Sequence, residues 1–240
     1  MAGKSKKKAA HSIGSLMTRA ETLFGWCWLP LYLALLSYLL RYAAEALGLT
    51  LSGVALNLAC FGTHFIVTAL CFRSFLGRSF RIFAEDFWLF VQTLILGFVF
   101  YYIVTLLLTK GLHFILGDVT NYNNETVVAL MVQNRTVMFF CTVLAAPLVE
   151  EVLLRGVVFG SLQPISRPLA YIVSVLLFSL MHIWQYAGTA DLPSLISSGL
   201  CYIPAAVALG WTYEKSCTIW APVLLHAAIN ALSFFGVALF

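Results

Sequence analysis

Apolar residues run along this chain in seven long blocks separated by short polar intervals. The blocks cover roughly 23–47, 51–72, 87–109, 136–162, 168–186, 192–213 and 217–239. Each is close to the roughly 20 residues that a helix needs to cross the hydrocarbon core of a bilayer. The polar punctuation reads "RSFLGRSFRIFAED", "GDVTNYNNET", "QPISRP", "GTADLP" and "YEKS". One connection is long, from Lys110 to Arg135, and its "GLHFILG" has the character of a segment lying at the membrane interface. No stretch repeats another, which disfavours a transporter built from inverted repeats. The pattern predicts an all-α fold, a polytopic transmembrane helical bundle of about seven spans with a short basic N-terminal tail.

Composition sharpens this. Of 240 residues, 61% are hydrophobic and 10% charged, whereas a soluble domain carries about 25% charged residues. The net charge of +4 comes largely from "KSKKK" near the N-terminus. Beside a first span such a run is an orientation signal, with lipid-headgroup contact as its other use. Nothing points to nucleic acid. The expected partners are the bilayer and a peptide or protein substrate, and no oligomeric state is legible. Cys27, Cys60, Cys71, Cys141, Cys201 and Cys217 form no CxxC pair and sit in or beside apolar blocks, so they read as small packing residues. No cleaved signal peptide is expected, because the first apolar run is too long for one. The chain divides into a cytoplasmic basic tail, 1–22, N-terminal transmembrane helices and loops, 23–135, and a transmembrane core, 136–240.

Orientation follows from the basic residues. With the N-terminus inside, the inner segments hold Lys4, Lys6, Lys7, Lys8, Arg19, Arg73, Arg78, Arg81, Arg167 and Lys215, and the outer loops only Lys110 and Arg135. The split predicts a multi-pass cell-membrane protein with a cytoplasmic N-terminus. The short lysine-rich terminus and small size read as bacterial.

Candidate chemistry comes from the charges that the blocks enclose. Glu150 and Glu151 are the acidic residues central in a span, and Arg155, His182 and His226 are also deep. A charge at mid-span costs about 2.5–3.5 kcal/mol on insertion scales, so such groups default to a functional reading. Glu151 and Arg155 are four apart, share a helical face and can pair. Glu150 points about 100° away and is left free to act as a general base. Pro147 removes a backbone donor just before it and can open that turn. Gly156 and Gly160 form a small-residue face that permits close helix contact. Phe178 and His182 share a face in the fifth block, as do His226 and Asn230 in the seventh, where Pro222 can loosen the helix. Counted from the inner ends at 1.5 Å per residue, Glu150, His182 and His226 all lie roughly 13–21 Å deep, near enough to converge on one wet cavity. His64 has no polar partner at helical spacing and reads as an interhelical hydrogen-bonding residue.

"EEVLLR", "FSLMH" and "HAAIN" together resemble the EExxxR, FxxxH and HxxxN motifs of the CPBP family of CAAX prenyl proteases and bacteriocin-processing or immunity proteins, also called the Abi family. The resemblance covers roughly residues 136–235, and the first three blocks match nothing specific. It implies an intramembrane endopeptidase of the glutamate-dependent type. Glu150 and His182 would then activate a water, His226 and Asn230 would stabilise the oxyanion, and Glu151, Arg155 and Phe178 would support the site. Metal dependence stays open. There is no HExxH, but Glu150, His182 and His226 could supply a three-ligand zinc set. A peptide or lipoprotein-like substrate is expected over a prenylated one. Two other readings stand beside the peptidase: a non-catalytic bacteriocin-immunity or scaffold protein of the same fold, and a transporter using a buried glutamate as a proton relay.

Overall fold

The computed structural model describes residues 16–118 and 120–236. The "KSKKK" run therefore lies outside the described residues. Among those residues every regular element is helical. In chain order they are α1 (Arg19–Ala46), α2 (Gly53–Cys71), α3 (Arg73–Glu85), α4 (Phe87–Leu116), α5 (Tyr122–Gln133), α6 (Arg135–Leu162), α7 (Arg167–Tyr186), α8 (Leu192–Ser216) and α9 (Trp220–Phe234). Six of them, α1, α2, α4, α6, α7 and α8, are long and apolar enough to cross a membrane. The chain is thus a multi-pass membrane bundle. The last apolar block contains a shorter helix of 15 residues.

Helix α6 is the axis of the bundle. In its most apolar window 72% of residues are buried, against 11% in α1. An apolar helix buried on all sides must sit inside a ring of others, and α1, α2, α7, α8 and α9 all pack on it. Outward-facing leucine, isoleucine and phenylalanine side chains on α1, α4 and α7 remain exposed, as expected of surfaces that meet lipid. Close approach to α6 is made at Gly156, where a Cβ would sit 2.5 Å from the Met17 methyl and 3.2 Å from the Phe75 ring, so that Met17 would have to move. Helix α6 is also not a regular α-helix. It widens into π-turns at Phe140–Ala145 and Val152–Phe159, on either side of the turn that carries Pro147, Glu150 and Glu151. Single π-turns of this kind re-aim side chains and recur at functional sites.

Three features differ from the sequence expectation. The segment read as the first polar interval is the amphipathic helix α3. It buries Phe75, Ser79 and Ile82 and is held to α1 by Glu21, which accepts from the Phe75 N–H at 2.9 Å and pairs with Arg78. Helix α4 runs seven residues past the predicted end at 109, continuing through Gly111 and stopping at Gly117, whose φ of 73° ends the helix. The long connection is consequently short, and most of what remains is helix α5. Pro222, expected to loosen α9, sits in its first turn, where the missing N–H breaks no helical bond. Ser79 of α3 supplies a cap there instead, accepting from the Ile219 N–H at 2.6 Å. At the start of α8, Asp191 accepts from the Ser194 N–H at 2.9 Å, which holds its carboxyl below the usual carboxylate range.

Candidate active site

The middle of the α6 axis carries the buried charges. Glu151 and Arg155 have no exposed side-chain surface, and the Arg155 Nη1 donates to Glu151 Oε1 at 3.0 Å. The four-residue spacing predicted that pair. Tertiary packing adds what spacing cannot. The second guanidinium nitrogen, Nη2, donates to the Ala206 carbonyl of α8 at 3.0 Å. The guanidinium carbon Cζ lies 4.8 Å from the centre of the Phe178 ring of α7. A buried cation is tolerated only when its attractions replace its lost hydration, and here a carboxylate, a carbonyl and an aromatic face do so.

Helix α9 joins the same cluster. Nδ1 of His226 lies 2.8 Å from Glu151 Oε1, and Nε2 lies 3.8 Å from Glu150 Oε2. His226 thus stands between the two glutamates, one turn before Asn230. The Asn230 Nδ2 donates to the Thr142 carbonyl at 2.8 Å. That carbonyl belongs to the first π-turn of α6, so the widened turn provides a seat for Asn230.

His182 is placed differently. Its Nδ1 is 2.8 Å from the Phe178 carbonyl one turn back. A carbonyl only accepts, so Nδ1 carries the proton and Nε2 keeps the lone pair in a neutral ring. The ring stacks on Tyr202 of α8 at 4.1 Å between centroids. Tyr202 occupies the break between the two halves of α8 and accepts at its hydroxyl from Asn123 of α5 at 3.0 Å. The imidazole beside Glu150 is that of His226 rather than that of His182.

A cavity of about 670 Å³ opens alongside, and Glu150, His182 and Asn230 line it. Its walls also include Tyr32, His64 and Tyr202. This is ample room for a short peptide segment. His64 is buried, but its Nδ1 makes no hydrogen bond among the described residues. Its ring packs edge-on to Trp28 and Tyr32 at 5.4 and 4.9 Å. Its expected interhelical hydrogen bond is replaced by aromatic packing.

Sequence reasoning missed Tyr32, Tyr202 and Thr142. Tyr32 donates its hydroxyl to Glu150 Oε1 at 2.6 Å, across 118 residues of sequence. The one available signal was a tyrosine in mid-span two residues after Pro30, since a phenol among apolar helices needs a hydrogen-bond partner.

Among the described residues no three His, Cys, Asp or Glu side chains are grouped so as to hold a metal ion. His226 turns one nitrogen to Glu151, and His182 turns one to a backbone carbonyl.

No curated protein and no solved structure matches the chain. Residues 132–232, from the end of α5 through nearly all of α9, match the family described as type II CAAX prenyl endopeptidase Rce1-like. That stretch holds every buried charge of the cluster, both histidines of the site and Asn230. Through this segment, which is less than half of the chain, the protein is similar to the CPBP or Abi family of CAAX-type membrane proteases.

Proposed function

We propose that the protein is an intramembrane endopeptidase that cleaves a membrane-associated peptide or protein with a water activated by Glu150. The observation that carries this reading is the meeting of Glu150, His182 and Asn230 around one cavity, with His226 beside Glu150, on three helices of the family-matching segment. Glu150 takes a proton from water as the oxygen attacks the scissile carbonyl. The lone pair on His182 Nε2 helps to orient that water. Asn230 retains a second amide N–H beyond the one given to Thr142. It donates this to the developing oxyanion together with Nε2–H of His226. The proton held by Glu150 passes to the leaving amine as the tetrahedral intermediate collapses. Two products result, a new carboxylic acid and a new amine, and Glu150 returns to its carboxylate form.

The N-terminus belongs in the cytoplasm on this reading, supported by the distribution of basic residues. The substrate is a peptide or a lipoprotein-like segment reaching the cavity from the membrane. The test is a comparison of membrane peptides in host cells carrying wild-type protein or Glu150→Ala. Fragments produced only by the wild type are the expected result. Identical peptide populations from equally abundant proteins would overturn the reading.

A further inference from the structure

The family-matching segment begins at residue 132, yet Glu150 takes its short side-chain hydrogen bond from Tyr32 on α1. The local sequence explains how. Pro30 lacks an N–H and cannot close the preceding helical turn. Helix α1 responds by widening into a π-turn at Leu31–Leu35. Each such turn adds a residue and so rotates the remainder of the helix by about 100°. Tyr32 and Leu33 thereby both reach the cavity wall. The Tyr32 ring is held edge-on by His64, which is held in turn by Trp28.

Glu150 uses its two oxygens unequally. Oε1 receives the phenol at 2.6 Å. Oε2 has no hydrogen bond among the described residues and lies 3.8 Å from His226 Nε2. The last torsion of a glutamate is broad and weakly restrained, so without a clamp the carboxylate would sample many orientations. We propose that Tyr32 is a positioning residue for the reaction, a hydroxyl that fixes Oε1 of Glu150 and so sets the orientation of the carboxylate, with Oε2 held beside His226. This rests on the peptidase reading given above. It also gives the N-terminal spans a task, since the carboxylate is oriented by a helix outside the matched segment.

The test uses the full chain purified in detergent and two internally quenched fluorogenic peptides ending in Cys-aliphatic-aliphatic-X, one farnesylated and one unmodified. Tyr32→Phe keeps the ring and removes one oxygen. The kcat is expected to fall about 10–100-fold, because small misplacement of a reacting group has effects of that size. KM and the melting temperature should not change. A wild-type kcat, or a loss matched by a raised KM and a lowered melting temperature, overturns the proposal. A second measurement does not need turnover. The infrared difference between wild type and Glu150→Gln isolates the Glu150 carboxyl band, and Tyr32→Phe should shift that band. An unshifted band overturns the proposal as well. If the wild type cleaves neither probe, the peptidase reading fails for these substrates, while the infrared result still decides the Tyr32 contact.

Discussion

One oxygen of Glu151 serves two partners from different helices: Oε1 lies 3.0 Å from Nη1 of Arg155 and 2.8 Å from Nδ1 of His226. The carboxylate both neutralises a fully buried cation and aims an imidazole at Glu150. Its neighbour Glu150 faces the cavity and meets the phenol of Tyr32. Two adjacent glutamates thus occupy different environments, and their substitution should have different consequences.

Glu150→Gln should abolish turnover and leave a folded protein in the membrane. Glu151→Gln should lower yield and melting temperature as well, because Arg155 stays buried without its counter-charge. Loss of one partner of such a pair costs about 3–5 kcal/mol. Thermal unfolding in detergent, read alongside activity, separates the two. A folded, inactive Glu151→Gln beside a fully active Glu150→Gln would reverse the assignment.

On the proposed mechanism, Asn230→Ala removes a donor to the charge that develops on the substrate oxygen. The kcat should drop about 10²–10³-fold with little change in KM. The same change removes the bond to the Thr142 carbonyl, worth about 0.5–1.5 kcal/mol net. Steady-state kinetics and a melting curve on one preparation check both halves. A raised KM at unchanged kcat would assign Asn230 to substrate binding instead.

Metal dependence is decided by prolonged treatment of the purified protein with a chelator, with metal content measured alongside. The water mechanism built on Glu150 expects full activity in metal-free protein. Activity that disappears with the chelator and returns on adding zinc would replace it with a metal-centred one.

Orientation is testable at Asp118, whose side chain is exposed just beyond the end of α4. Asp118→Cys should react with a membrane-impermeant maleimide in intact cells, above the background of the unsubstituted protein. Asn123 is a poorer probe, since it lies in α5 and donates to Tyr202. Labelling of Asp118→Cys only after permeabilisation would place the N-terminus outside.

The apolar blocks by themselves determined the helical bundle and nearly all of its spans, because span length is set by bilayer thickness and local hydropathy. Spacing alone determined the Glu151–Arg155 pair, since residues four apart on one helix are neighbours whatever surrounds them. The rarity of ionisable groups in apolar helices also singled out Glu150, His182 and His226. Only tertiary structure decided which groups meet. It set His226 rather than His182 beside Glu150, seated Asn230 on Thr142, and brought Tyr32 across 118 residues to a carboxylate. These contacts depend on the rotation of each helix about its axis and on the π-turns of α1 and α6. Packing between helices sets both, and no repeat along the chain records them.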